Sequence, residues 1–244
     1  MTMHTDLLLE LRGVHTHIGA YHILHGVDLQ VPRAQLTMLL ERNGAGKTTT
    51  LRTIMGLWQA SQGTIHFNGQ DITRLHTPQI AQQNIAYVPE NMGIFADLTV
   101  KENLLLAALS ARTAADMDST RLQWIFSLFP AVEKFWNHAA GKLSGGQKQM
   151  VAVARAIVEP RDLLIIDEPS KGLAPAIINN MIAAFEQLKK AGVTILLVEQ
   201  NINFAKRLGD TVAVMDNGVI VHAGSMAALS ANEALQHELL GLAL

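Results

Sequence analysis

Residues 43–49 have the side-chain types and spacing that bind the phosphates of a nucleotide. They are Asn43, Gly44, Ala45, Gly46, Lys47, Thr48 and Thr49. An apolar run precedes them at residues 36–40, and a helical pattern begins after them at about residue 50. Glycines let backbone N–H groups turn toward phosphate oxygens, and the start of a helix adds unpaired N–H groups and a positive dipole end. We therefore predict a phosphate-binding loop in which Lys47 reaches the β- and γ-phosphates and Thr48 holds Mg²⁺.

One residue departs from the phosphate-loop pattern. The pattern G-x-x-x-x-G-K-[ST] begins with Gly, and that position is Glu41 here. Two outcomes stay open: either the carboxylate points to solvent and the backbone cradle survives, or it repels phosphate and weakens binding. A Gly-rich turn without a ligand is a third interpretation, which the agreement of strand, loop and helix disfavours.

Two carboxylates follow a fully apolar strand pattern at residues 163–166. They are Asp167 and Glu168. Because parallel strands end at one edge of a sheet, we expect both side chains to lie near the phosphate loop. Asp167 is predicted to reach Mg²⁺, and Glu168 to polarise a water molecule aimed at the γ-phosphate. Strands also end in Asp or Glu that cap a helix, but the upstream loop favours the catalytic interpretation.

A second candidate anion site opens the helix predicted at residues 147–158. Its residues are Ser144, Gly145, Gly146 and Gln147. Ser144 suits a helix N-cap, and the two glycines after it leave backbone N–H groups uncovered at a helix start. A chain with two phosphate sites on different sub-domains can place the second site on a neighbouring molecule's nucleotide.

These sites lie in a chain with α/β character. Strand patterns cover residues 7–11, 27–31, 36–40, 64–67, 85–88, 163–166, 193–198 and 211–215. Helical patterns lie between the later strands and at residues 226–240, whereas residues from 98 to about 159 give few strand signals. The alternation predicts a sheet with helices on both faces and a helical insertion.

Composition limits the class of protein. The 244 residues suffice for one large α/β domain or for one domain with a sub-domain, and the net charge of −2 disfavours a nucleic-acid partner. No apolar run approaches the roughly 18 residues of a membrane span, and the first residues lack the form of a secretion signal. The absence of cysteine excludes disulfides and suits the cytoplasm. Charged residues make up 16%, against about 25% typically, so either the buried sheet is large or partners cover part of the surface.

The phosphate loop, the sequence Leu-Ser-Gly-Gly-Gln and the strand ending in Asp-Glu, in this order, resemble the nucleotide-binding subunits of ATP-binding cassette (ABC) transporters. The resemblance covers nearly the whole chain. Several further stretches resemble the ATPase subunits of branched-chain amino acid importers: residues 24–29, 87–90, 98–103, 168–175 and 198–201.

This resemblance implies a fold and a domain arrangement. The expected α/β fold is a P-loop NTPase core with a mainly parallel sheet flanked by helices, an N-terminal antiparallel β portion and a helical sub-domain. Residues 1–244 would form a single ABC ATPase domain. Its nucleotide-binding core would comprise residues 1–96 and 160–244, and the helical sub-domain with the signature sequence would comprise residues 97–159.

The resemblance also implies how the sites work together. Two ATPase subunits, identical or homologous, would pair head to tail, with Ser144, Gly145 and Gly146 of one binding the γ-phosphate held by the other. Glu90 stands where most cassettes have a Gln that senses Mg²⁺ and the membrane subunit, and a carboxylate can also ligate Mg²⁺. Gln200 stands where many cassettes have a switch His. It can hydrogen-bond the γ-phosphate but cannot carry a proton charge.

Two further positions differ from the family pattern. Ala174 stands where the dimer loop usually has Asp. Ile18 falls where an aromatic side chain often stacks on adenine, and Tyr21 is near enough to substitute.

The function implied is ATP hydrolysis that energises import of branched-chain or related amino acids and amides. Glu168, Lys47 and Gln200 would act in catalysis, with Mg²⁺ at Thr48, Glu90 and Asp167. The expected partners are membrane permease subunits and, indirectly, a solute-binding protein, at the cytoplasmic face of the membrane. The alternative is a nucleotide-sensing subunit that binds ATP weakly and does not hydrolyse it, because of Glu41. A cassette acting on nucleic acid is disfavoured by the charge balance.

Two clusters have structural interpretations. The histidines near a predicted turn lack carboxylate or cysteine neighbours in sequence, so a metal site is not favoured; they are His15, His17, His22 and His25. The aromatic residues of the helical insertion are expected in its core, with some able to line a groove for a helix of the membrane subunit: Trp124, Phe126, Phe129, Phe135 and Trp136.

Overall fold

In the described part of the chain, the larger sheet has six strands, and the segments that contain Lys47, Glu168 and Gln200 each follow one of them. The computed structural model describes residues 6–41, 46–110 and 119–241. The strand order is β10-β9-β3-β8-β7-β6, in which every pair is parallel except β9 and β10. The bounds are β3 Leu36–Glu41, β6 Ile85–Val88, β7 Leu163–Asp167, β8 Thr194–Glu199, β9 Thr211–Asp216 and β10 Val219–Ser225.

A second, antiparallel sheet is formed by the N-terminal strands, in the order β2-β1-β4-β5. Its bounds are β1 Leu7–Ile18, β2 Tyr21–Pro32, β4 Ala60–Phe67 and β5 Gln70–Asp71. The first two strands extend well beyond the predicted residues 7–11 and 27–31. Their pairing contains register shifts, one of them between Leu11 and Val14, which interrupt the two-residue alternation by which strands are predicted.

Helices cover both faces of the larger sheet, and a group of them forms the insertion. The bounds are α1 Lys47–Ile54, α2 Thr77–Ala81, α3 Val100–Ser110, α4 Ser119–Leu128, α5 Pro130–Lys134, a 3₁₀ turn Ala140–Lys142, α6 Gly145–Ala156, α7 Pro175–Lys190, α8 Ile202–Leu208, α9 Met226–Ser230 and α10 Glu233–Leu240. The predicted fold class is confirmed: a mixed sheet with parallel strands, an antiparallel β portion and helices. The sub-domain boundaries at residues 97 and 159 stay a prediction.

Side-chain caps explain two differences from the predicted helices. The helix expected at residues 147–158 begins at Gly145 because Ser144 is its N-cap. The single helix expected at residues 226–240 is wrong, since two helices occupy that stretch. Asn232 interrupts it by accepting the Leu235 N–H at 3.0 Å and so capping a new helix, α10.

The core lies on both faces of the larger sheet. Met38 and Leu40 of β3 pack into one buried cluster with α6 and α7, whereas Leu39 between them packs into the other, with the antiparallel sheet and α1. Of the predicted aromatic cluster, Phe129 is fully buried and the others are half-buried against the first cluster. None of the helices in the described ranges combines the length and apolar character needed to cross a bilayer.

Truncation of Phe185 is expected to destabilise the fold strongly. This α7 side chain is fully buried, and its ring packs edge-on against Phe204 of α8, with centroids 6.3 Å apart. Phe185→Ala should lower the free energy of unfolding by about 3–5 kcal/mol, because it removes a large apolar side chain and leaves a cavity. Urea unfolding measures this loss. Leu57→Ala, at a half-exposed position, should change it by less than about 0.5 kcal/mol, and similar values for both variants would contradict the packing described.

Candidate functional site

The start of α1 has the geometry expected after a phosphate loop. Gly46 is its N-cap, with φ +107°, and a Cβ there would lie 3.0 Å from the Leu24 side chain. The positive φ therefore favours glycine, and a side chain there would also press against Leu24. The predicted loop residues Asn43, Gly44 and Ala45 lie outside the described residues, and so does the Glu41 side chain.

The Thr48 hydroxyl and Asp167 meet where α1 faces the end of β7. Thr48 Oγ1 donates to Asp167 Oδ2 at 2.9 Å. Asp167 is buried, and within the described part of the chain its second oxygen, Oδ1, has no hydrogen-bond partner. A buried carboxylate oxygen without a partner, beside a hydroxyl, is the donor set that a hard cation such as Mg²⁺ prefers. The predicted magnesium residues Thr48 and Asp167 therefore fit the ion.

Burial raises the pKa of Asp167 to about 6, and the neighbouring charges of Glu168 and Glu90 add to the rise. The Thr48 hydrogen bond and the Lys47 charge oppose it. The carboxylate form still predominates at neutral pH. Because the protein groups around Asp167 compensate its negative charge only in part, this charge is available to a cation.

Glu168 is held through contacts at both oxygens. Its Oε1 accepts from Gln200 Nε2 at 2.7 Å and lies 3.3 Å from the buried Lys47 Nζ. Its Oε2 lies 3.3 Å from Lys171 Nζ. The backbone of Glu168 has φ +49°, a conformation uncommon for a residue with a side chain, and its N–H donates to Val198 O at 3.0 Å.

The contacts of Glu168 keep it ionised. Burial by itself would raise its pKa, but the Gln200 hydrogen bond and the neighbouring Lys47 and Lys171 outweigh burial and hold the pKa below its usual value. An ionised carboxylate can accept a proton from water, which is the role predicted for Glu168.

A buried carboxylate that the sequence did not single out fixes the two segments on either side of the site. Glu199 accepts the Ser170 N–H at 2.9 Å and the N–H groups of Gln200 and Asn201 at 3.2 Å each. It is almost fully buried, and burial raises its pKa. Because one side chain binds both backbone segments, Glu199 sets the distance between the turn after Glu168 and the loop of Gln200.

Glu90, predicted as a metal ligand, is engaged by a cation of the protein. Its Oε1 lies 2.6 Å from Lys171 Nζ. The structure thus joins Glu90 to Glu168 through Lys171, whereas Thr48 and Asp167 bond to each other directly. Its role as a magnesium ligand stays a prediction.

The signature residues form a helix start on the insertion. Ser144 and Gln147 cap each other: Ser144 N–H donates to Gln147 Oε1 at 2.9 Å, and Gln147 N–H to Ser144 Oγ at 3.4 Å. Gly145 is exposed, and Gly146 is buried where a Cβ would lie 2.7 Å from Ile177 of α7. Packing alone therefore explains the second glycine, while the exposed first glycine leaves its side of the helix start accessible.

The remaining candidate residues lie outside the cluster formed by Lys47, Thr48, Asp167, Glu168 and Gln200. Tyr21 is 77% exposed at the start of β2, Ile18 is half-buried, and Ala174 is the N-cap of α7. In the β1–β2 hairpin, the His22 ring stacks on the rings of His15 and His17 and lies tilted against that of His25. Across the described residues, no group of three or more His, Cys, Asp or Glu is arranged to hold a metal ion.

Comparison with known proteins decides the family. Residues 24–171 match the ABC transporter family. The chain belongs to the ABC transporter family. The enzyme class is therefore that of the ABC ATPases, and the predicted resemblance is confirmed.

Two similar relatives span nearly the whole chain. The high-affinity branched-chain amino acid transport ATP-binding protein BraG of Pseudomonas aeruginosa is 38% identical, over 96% of this chain and 100% of its own length. The probable branched-chain amino acid transport ATP-binding protein LivF of Archaeoglobus fulgidus is 36% identical, over 93% of this chain and 95% of its own.

Solved structures of ABC proteins share the fold. An ATP-binding subunit of an ABC transporter superimposes with a TM-score of 0.82 at 29% identity, over 93% of this chain and 94% of its own. An ATP-binding cassette in its ADP conformation gives 0.82 at 24% identity, over 98% of this chain and 100% of its own. The second likeness supports the fold alone, and both agree with the two-sheet architecture of this ABC ATPase.

Proposed function

We propose that this chain is the ATP-hydrolysing subunit of an importer for branched-chain amino acids or related amino acids and amides. The observation that carries hydrolysis is the ionised Glu168, held by Lys47 and Gln200 beside the Thr48–Asp167 pair. A non-hydrolysing binding subunit would not need an ionised carboxylate directed into this site.

Each residue has a distinct role in this proposal. Lys47 binds the β- and γ-phosphates, Thr48 and Asp167 hold Mg²⁺, Glu168 accepts the proton of the attacking water, and Gln200 orients Glu168 and the γ-phosphate. When bound, Mg²⁺ would neutralise part of the negative charge of the phosphates. Gly46 and Thr49 would complete the phosphate cradle together with the predicted residues 43–45, which lie outside the described residues.

A second ATPase subunit completes the site. The helix start at Ser144 and Gly145, with Gly146 and Gln147, lies on the insertion, and its first two residues are exposed. Head-to-tail pairing would bring this start to the partner's γ-phosphate, where its N–H groups and dipole favour an anion. The partner is a second copy of this chain or a homologous subunit.

Transport of amino acids is supported by the relatives. The two at 36–38% identity are named for branched-chain amino acid transport, and a relative at 30% identity, from Corynebacterium glutamicum, is named for glutamate transport. Permease subunits would bind the chain at the cytoplasmic face of the membrane, with a solute-binding protein acting through them.

The second candidate function is nucleotide sensing with weak binding and no hydrolysis. It is favoured by Glu41 at the first position of the phosphate-loop pattern. The two functions differ in turnover, which an assay of the assembled transporter measures.

Reconstitution with the permease subunits in vesicles tests the proposed function. We expect Mg²⁺-dependent phosphate release that is coupled to uptake of labelled leucine in the presence of the solute-binding protein. Lys47→Ala is the control variant, and it should abolish both signals because the buried phosphate-binding cation is lost. Wild-type vesicles without Mg²⁺-dependent turnover would reject hydrolysis, and turnover stimulated only by a different solute would reject the substrate class.

A further inference from the structure

Lys171 joins two carboxylates that belong to separate segments of the chain. Its Nζ lies 2.6 Å from Glu90 Oε1 and 3.3 Å from Glu168 Oε2. Glu90 follows β6 and Glu168 follows β7, two neighbouring parallel strands. A single ammonium therefore bridges the segment leaving β6 and the carboxylate placed for hydrolysis.

The backbone holds Lys171 in position for this bridge. Its N–H donates to Glu168 O at 3.3 Å, which closes a turn, and the Ser170 N–H within that turn is fixed by Glu199. The side chain of Lys171 thus begins from an anchored backbone and returns toward Glu168, three residues earlier.

The bridge contributes more to orientation than to the stability of the fold. Lys171 and Glu90 are 60% and 48% exposed, and exposed ion pairs contribute little to stability because water screens them. The Glu168 side chain is only 10% exposed. Its Oε1 already has Gln200 and Lys47, whereas among the described residues Lys171 is the cation beside Oε2. Loss of Lys171 would leave one side of the carboxylate without its restraint.

The segment that contains Glu90 is also bonded to the helical insertion. Two residues after Glu90, Met92 O accepts from Arg155 Nη2 at 3.2 Å, and Gly93 O accepts from Arg155 Nη1 at 2.6 Å. Arg155 belongs to α6, the helix that begins at the signature residues. If the segment at residues 90–93 moves, Lys171 moves with Glu90, and the orientation of the Glu168 carboxylate changes.

We propose that Lys171 is a positioning residue. Its ammonium group is anchored by Glu90 and thereby fixes the orientation of the Glu168 carboxylate. This inference rests on the proposed hydrolytic function of Glu168.

Steady-state kinetics of the assembled transporter form the first test. Lys171→Met should lower kcat roughly tenfold, because small misplacements of a catalytic group are costly, while KM for ATP changes by less than about twofold. Lys171→Arg should restore most of the turnover, since a guanidinium can also contact two carboxylates. Combining Lys171→Met with Glu90→Gln should lower kcat no further than the more damaging single variant, because both remove the same bridge. Lys190→Met, at an exposed lysine at the end of α7, is the matched control and should leave kcat unchanged.

Mobility of the segment after β6 is the second test, in nucleotide-free protein. The chain has no cysteine, so Asn91→Cys accepts a single spin label next to Glu90. The label should move faster in the Lys171→Met background than in the Lys190→Met background. This measurement is independent of hydrolysis: if the wild type fails to turn over ATP, the proposed function fails, while label mobility still decides whether the bridge exists.

Three results would overturn the inference. Equal label mobility in the two backgrounds would show that no bridge restrains the segment. Greater mobility with unchanged kcat would show that the bridge does not position Glu168. Multiplying effects of Lys171→Met and Glu90→Gln would show that the two residues act independently.

Discussion

Glu168→Gln is expected to lower kcat for ATP hydrolysis by about 10²- to 10⁴-fold, the usual contribution of a positioned general base. The amide has nearly the same shape and can accept the Gln200 hydrogen bond through its oxygen, but it cannot take a proton from water. Its neutral charge also removes repulsion between residue 168 and the γ-phosphate. ATP should therefore bind and remain intact, and a pair of subunits should stay closed around it.

Two measurements check this expectation. Phosphate release should fall as stated, and size-exclusion chromatography in Mg-ATP should show a stable dimer for Glu168→Gln but not for the wild type. Glu186→Gln, on an exposed position of α7, is the control for a change of the same type away from the site. If Glu168→Gln and the wild type behave alike in both assays, the chain is a sensing subunit without hydrolysis.

Glu41→Gly is expected to tighten ATP binding by a factor between a few and about a thousand. A carboxylate about 4 Å from a phosphate oxygen costs about 1 kcal/mol in water and about 4 kcal/mol at an effective dielectric of 20. Each 1.4 kcal/mol corresponds to about a tenfold change in affinity.

Glu41 lies at the end of the strand that leads into the phosphate loop. Glu41 ends β3, with its Cα opposite Met215 of β9. Titration of wild type, Glu41→Gly and Glu41→Gln with ATP at fixed salt and Mg²⁺ measures the effect. Equal gains in Gln and Gly would assign it to charge, and a gain in Gly alone to the backbone. Identical affinity of all three would mean that the carboxylate points away from the phosphates.

The sequence predicted those parts of the site that depend on local order. Lys47, Thr48, Asp167 and Glu168 each follow an apolar strand or open a helix, so the rule that parallel strands end at one edge brings them together. In the structure, Lys47 Nζ lies 3.3 Å from Glu168 Oε1.

The remainder depends on side-chain directions that spacing does not encode. Lys171 stands three residues after Glu168, but its contact with Glu90 requires β6 to be the neighbour of β7. The burial of Glu199 was not predicted either, because an acidic residue at the end of a strand is usually exposed. Here the turn at Ser170, which is distant in sequence, covers it. The register shifts of the β1–β2 hairpin likewise interrupt the two-residue alternation, so about half of each strand was not predicted.

The position of β3 between β8 and β9 has a consequence for how the molecule is made. Leu36 pairs with Ile195 and Thr37 with Thr211, so the strand that leads into the phosphate loop has both neighbours near the other end of the chain. On a ribosome, the N-terminal hairpin can form as soon as it emerges, because β1 and β2 are adjacent in sequence. The strand before Lys47 must wait for most of the remaining polypeptide, since non-local pairing follows loop closure. A nascent chain that ends before β8 and β9 would thus lack both neighbours of the strand that leads into the phosphate loop, and ATP capture would begin only after these two strands have emerged.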